Sequence, residues 1–116
     1  MRQFKLKGSK KDGPELQIRT AIINKLTLLG WYCIITHGNA FQSGLPDIYA
    51  CHRMYGTRWI EVKNPKGYAF TEAQNRVFPE FTAKGVGIWI LVSDSDSEMD
   101  KLFKPANWIF FLKAMR

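Results

Sequence analysis

Ser43-Gly44-Leu45-Pro46-Asp47-Ile48-Tyr49-Ala50, followed by Arg58-Trp59-Ile60-Glu61-Val62-Lys63, is the part of the chain that decides the fold. Glycine and proline mark a turn, and the β-branched and aromatic residues after them mark a strand. The second run is a strand by the same criteria, ending near Asn64-Pro65, where proline stops pairing. The intervening Arg53-Met54-Tyr55-Gly56-Thr57 suits the loop of an antiparallel hairpin between strands at about 47–52 and 58–63. Side chains alternate across a strand, so Trp59, Glu61 and Lys63 share one face, as do Asp47, Tyr49 and Cys51. A hairpin pairing Asp47 with Lys63 sets Asp47 diagonal to Glu61, roughly 7–8 Å away, where two carboxylates can grip one cation. A slip of one residue would send them to opposite faces.

Around this hairpin the pattern is α/β. A first helix is expected from Pro14, capped by Asp12 or Gly13 and closed at Gly30, with Ile18, Ile22, Leu26 and Leu29 as its buried stripe. Glu15 precedes Ile22 by seven residues and points down that stripe. It is either a buried acid that needs a partner or an acid favouring the positive end of the helix. Trp31 to Thr36 is a strand, and Gly38 to Gly44 is a loop. Thr71-Glu72-Ala73-Gln74 is a capping box opening a helix to about Lys84, with Pro79 expected to kink or break it near Phe78. Gly87 to Val92 is apolar throughout, as in a strand covered on both faces. A short helix follows the acidic run, and Asn107 to Met115 forms a last one. The order helix, three strands, helix, strand predicts layers of helix against sheet.

The chain has 116 residues, enough for one domain with a sizeable core: a basic tail over 1–12, then a domain over 13–116. Lys and Arg number 17 against 10 Asp and Glu, a net charge of +7. Four of those acids are clustered at Asp94, Asp96, Glu98 and Asp100, which leaves the rest still more basic. That balance favours a polyanionic partner. The tail lysines, Lys10 and Lys11 among them, are either solvated or a phosphate-contacting arm. Cys33 and Cys51 have no metal-type spacing and read as reduced thiols of a cytoplasmic protein. The first residues lack the apolar core of a signal peptide, and the longest apolar stretch, Val86 to Val92, is too short to span a bilayer.

Two acids and an ammonium gathered by paired strands suit a hard cation and a phosphate. Mg²⁺ takes oxygen ligands and keeps several waters, and Asp47, Glu61 and the Val62 carbonyl can supply the protein's share. Glu15 adds a further candidate ligand. Lys63 beside them can orient or deprotonate a water, or stabilise a pentavalent phosphate. The plain alternative is a surface ion pair between Glu61 and Lys63 with a turn aspartate at 47. Lys66 and Tyr68 lie on a turn after Lys63, placed either to touch phosphate and stack on a base or simply to face solvent. His37 and His52 are weaker candidates. The acids from Asp94 to Asp100 lack the glycine and terminal glutamate of a calcium loop.

Gly44-Leu45-Pro46-Asp47 followed by Ile60-Glu61-Val62-Lys63 resembles the PD-(D/E)XK nuclease signature. With Glu15 upstream and Phe70-Thr71-Glu72-Ala73-Gln74 downstream, residues 14–92 closely resemble the viral-type replication–repair nuclease (VRR-NUC) family. The resemblance implies a restriction-endonuclease-like core with a mixed central sheet flanked by helices. It implies an Mg²⁺- or Mn²⁺-dependent endonuclease on branched DNA, similar to dimeric Holliday-junction-cleaving enzymes, with no nucleotide cofactor and no membrane. Asp47, Glu61 and Lys63 match the catalytic motif, while Glu15 and Gln74 match the family's first-helix acid and second-helix glutamine. The alternatives are a duplex or single-strand nuclease on the same site, or a non-catalytic DNA-binding module. Aromatics near Trp108, Phe110 and Phe111 are the expected dimer surface.

Overall fold

The structure, a computed structural model, describes residues 13–36 and 43–114, with backbone alone for 112–114. The basic tail with Lys10, Lys11 and Asp12, together with His37, the loop residues 38–42 and Met115, lies outside the described residues. Four strands form one mixed sheet in the order β1-β2-β3-β4. β1 (Tyr32–Ile35), β2 (Ile48–His52) and β3 (Gly56–Val62) pair antiparallel, and β4 (Ile88–Leu91) runs parallel to β3. The parallel return from β3 to β4 passes through α2 (Glu72–Ala83), as a crossover must. This is the expected restriction-endonuclease-like arrangement of helices on a mixed sheet.

Helix α1 (Gly13–Leu28) carries Glu15 in its first turn and Lys25 in its last, matching the helix dipole. It closes where Trp31 N–H reaches the Leu26 carbonyl and Gly30 N–H the Thr27 carbonyl, with Gly30 at φ 96°. Its buried residues are Arg19, Ile22, Ile23 and Leu26. The expected stripe therefore needs correction: Leu29 lies beyond the helix and is exposed, Ile18 is half-buried, and the inward face turns toward Arg19 and Ile23.

Alternation divides the sheet into two apolar layers. Cys33, Ile48, Ala50, Ile60, Val62 and Leu91 pack under α1, with Met99 and Leu102 closing the layer. These last two come from α3 (Asp96–Asp100) and a single 3-10 turn (Lys101–Phe103). On the other face Ile88 and Ile90 pack with Phe70, Phe78 and Trp108, under α2 and α4 (Trp108–Ala114). Arg58 joins β3 to the first layer, its guanidinium 5.0 Å from the Trp89 ring and its Nε donating to the Leu102 carbonyl at 2.8 Å. The outer edge of β4 is held by side chains. Asn107 accepts from Ile90 N–H at 2.6 Å and donates to its carbonyl at 3.0 Å, and Glu98 accepts from Val92 N–H at 2.9 Å. Among the described residues no helix is long and apolar enough to cross a membrane.

Three further expectations are corrected. The hairpin loop is shorter than expected, because His52 pairs with Gly56 and only Arg53, Met54 and Tyr55 lie between. Gly56 at φ 80° supplies the left-handed residue that ends a three-residue loop. Ile48 then pairs with Ile60, which brings Asp47 level with Glu61 rather than Lys63. Second, Pro79 does not break α2, which is continuous from Glu72 to Ala83. Asn75, whose carbonyl would have bonded residue 79, is exposed to water, and Gln74 and Phe78 anchor the helix by burial. Third, Trp108 is 1% exposed and Phe111 packs against the second layer; only Phe110 of the three aromatics is well exposed, with Ile109 beside it.

Candidate active site

The turn before β2 delivers Asp47 to the site because of Gly44. Its φ is 91°, and a side chain there would meet the Ala73 carbonyl and Val77 at 2.8 Å, so the turn lies directly on α2. Thr36 fastens the other side: its N–H donates to the Asp47 carbonyl at 3.0 Å and its hydroxyl to the Pro46 carbonyl. Asp47 is 5% exposed and Glu61 fully buried, an arrangement that requires dense hydrogen bonding.

The two carboxylates are clasped through the backbone. Asp47 N–H donates to Glu61 Oε1 at 3.1 Å, and Val62 N–H donates to Asp47 Oδ2 at 2.8 Å. Glu61 Oε2 accepts from Gln74 Nε2 at 2.8 Å and from Lys63 Nζ at 3.1 Å. The Lys63 ammonium also donates to Gln74 Oε1 at 3.0 Å and the Ala69 carbonyl at 2.8 Å, and sits 4.5 Å from the centre of the Phe70 ring. All three of its N–H donors are thereby engaged. Gln74 completes the network from α2: Oε1 accepts from Thr71 N–H at 3.0 Å while its own N–H donates to the Thr71 hydroxyl. One residue thus serves as both helix cap and bridge between Lys63 and Glu61.

Glu15 reaches the neighbourhood by another route, its Oε2 accepting from Asn64 N–H at 3.2 Å. Asn64 opens the turn that presents Lys66 and Tyr68. Lys66 is exposed, and Tyr68 is 44% exposed with its ring edge-on to Phe70 and Phe111. His52 lies at the far end of β2, where its Nδ1 accepts from Met54 N–H, away from the acids.

Sequence reasoning passed over Arg19. It is 4% exposed, one helical turn after Glu15, on the buried face of α1. Burial lowers the pKa of its guanidinium, and attraction to Asp47 and Glu61 works to raise it. Its spacing to Glu15 reads in sequence as a solvated i,i+4 pair. Only the lay of α1 across the sheet brings it within electrostatic reach of the carboxylates.

Two converging carboxylates fit a hard divalent cation, which takes one or two such groups and keeps waters for the rest. Among the described residues no group of three or more His, Cys, Asp or Glu side chains stands at metal-holding spacing, so Glu15 is beside the acid pair rather than in a three-acid cluster.

The order of elements gives a mixed α/β sheet between helices, with an acid–acid–lysine cluster at one end of β2 and β3. A solved structure described as a VRR_NUC domain matches it with a TM-score of 0.63 at 19% identity, over 80% of this chain and 97% of that one. The chain has the VRR-NUC fold. No protein-family model matches the sequence, and no curated protein does.

Proposed function

We propose that the chain is an Mg²⁺- or Mn²⁺-dependent DNA endonuclease that hydrolyses phosphodiesters in branched DNA, working as a homodimer. The observation that carries this is Asp47 held level with Glu61, both buried, with Lys63 fixed to Glu61 at 3.1 Å. Asp47, Glu61 and the Val62 carbonyl would hold the cation, with Glu15 adjoining. A cation bound there supplies charge neutralisation at the phosphodiester and a more acidic water. Lys63, fixed beside Glu61, would set its positive charge next to the phosphate. Gln74 keeps that ammonium and Glu61 in one geometry. Lys66 and Tyr68 extend the site toward a phosphate and a base of the bound strand, with the tail lysines Lys10 and Lys11 as further phosphate contacts. A two-fold dimer would set two such sites against opposed strands of a junction.

The test is cleavage of a labelled four-way junction and a matched linear duplex, with Mg²⁺, Mn²⁺ or EDTA, by the parent, Asp47→Ala and Glu61→Ala. Paired metal-dependent incisions in the junction alone, lost in both variants, are expected, and light scattering of the parent should report a dimer. Equal cutting of both substrates would discard the branch preference. A folded parent that binds DNA but cuts nothing would replace the enzyme with a binding module, a reading favoured by the self-satisfied Glu61–Lys63–Gln74 network.

A further inference from the structure

The strands that carry Asp47 and Glu61 continue into an aromatic surface that the proposed reaction leaves unused. Two residues along from the acids, roughly 7 Å by strand rise and on the same side of each strand, Tyr49 pairs with Trp59. Their rings lie 4.7 Å apart, and Phe81 of α2 meets Trp59 edge-on. Both are half-buried, so part of each stays open to solvent. With Thr57, Val86 and Trp89 they line a cavity of about 510 Å³, a volume in the range of small-molecule sites.

Charge at the rim decides which planar group the cavity suits. Lys84, exposed, directly precedes the 85–87 segment at its mouth. Exposed Lys104 is fixed next to Trp89, whose indole Nε1 donates to the Lys104 carbonyl at 2.9 Å. The Arg58 guanidinium lies 5.0 Å from the centre of a Trp89 ring. Glu80, 3.9 Å from Lys84, offsets one of these three cations. Aromatic walls under a cationic rim take an unstacked base together with the phosphates that flank it. A duplex hides its base faces in the stack, so an unpaired nucleotide is the one that fits.

We infer that the cavity lined by Tyr49, Trp59 and Trp89 is a stacking site for an unpaired base of the DNA strand held at the acid pair. It makes an unpaired nucleotide near the scissile phosphate a condition of tight binding. A branch point offers such a nucleotide and a plain duplex does not, so a domain this small can tell them apart. This rests on DNA being the substrate, as proposed above, and adds which part of a branched substrate is recognised.

Fluorescence anisotropy with a labelled oligothymidylate and a labelled blunt duplex, in EDTA so that nothing is cut, tests this on the parent, Tyr49→Leu and Val86→Glu. The parent should bind the single strand more tightly than the duplex. Tyr49→Leu keeps apolar bulk but removes the ring, and should weaken single-strand binding about tenfold, the loss of one stacked base, with duplex binding unchanged. Val86 is 40% exposed at the rim, so Val86→Glu decides the matter should Tyr49→Leu not fold; it should weaken single-strand binding more than duplex binding. Equal binding of strand and duplex by the parent, or unchanged selectivity in folded variants, would overturn the inference. Competition by thymidine monophosphate as strong as by the oligothymidylate would assign the cavity to free nucleotides and overturn it as well. So would loss of a dimer in Val86→Glu with selectivity intact, which would assign the cavity to a second copy. Because cleavage is not read, a parent that binds selectively but cuts nothing sinks the enzyme reading and supports this site. A parent that binds neither DNA removes both.

Discussion

At the scale of single residues, the site depends on how closely one glycine lets a turn approach a helix. Any side chain at Gly44 must push on the Ala73 carbonyl, which is backbone and cannot swing away, and must also take up φ 91°. Gly44→Ala should lower unfolding free energy by about 2 kcal/mol or more, from left-handed strain plus the clash. Urea denaturation measures the loss, and an unchanged midpoint would mean the turn has room to lift. Because Asp47 follows three residues later, the proposed cleavage should fall even in conditions where the variant is folded. Much of this was legible beforehand. Gly44, Pro46, Asp47, Glu61, Lys63 and the Thr71–Gln74 box are local signals, and each stands where local chemistry places it. Arg19 was not legible, because its meaning comes from a helix and a strand separated by some forty positions of chain. The pairing of Asp47 with Glu61 depended on whether Gly56 ended the loop or lay within it, a difference of one backbone dihedral.

Among the elements, α2 combines the best-capped start with an interior proline. Thr71 and Gln74 cap each other reciprocally, and the far end closes through Val86 N–H to the Phe81 carbonyl and Gly85 N–H to the Thr82 carbonyl. Pro79 sits between these ends and costs the helix one hydrogen bond, at Asn75. Replacing it with alanine should raise unfolding free energy by about 1–2 kcal/mol, less than the roughly 3 kcal/mol propensity difference because the half-buried ring loses contacts. A decrease would show that ring packing outweighs the backbone. Of the expected kink or break, the break is absent because propensity acts within one helix, whereas Phe78 and Gln74 are buried against the rest of the fold.

For the molecule as a whole, stability rests on two apolar layers either side of one sheet, and the first contains a thiol. Cys33 is 2% exposed, and burial, with a smaller push from Cys51, raises its pKa from 9.0 to about 12. Cys33 pairs with Ala50 and points under α1, while Cys51 points to the opposite face; both thiols are free, as expected. The folded state keeps a proton that the unfolded chain gives up near pH 9.0, so this contribution is complete below that pH and is lost as pH rises toward about 12. Over that interval the parent should lose stability relative to Cys33→Ala by about 1.4 kcal/mol per pH unit. Parallel denaturation curves at pH 8 to 11 would show it; identical pH slopes in both proteins would mean the thiol ionises without unfolding.

The side chains of Asn107 and Glu98 on the margin of β4 bear on how copies of this protein can meet. A parallel strand at the rim of a sheet is a template on which any extended peptide can crystallise, the usual beginning of misassembly. Here the amide of Asn107 mimics that incoming peptide, giving and receiving the same two bonds, and Glu98 claims the next donor along. The rim is spoken for by its own chain. A second copy that paired along β4 would first have to displace Asn107 from Ile90 and Glu98 from Val92, so this stretch of the rim resists the joining of two sheets into one.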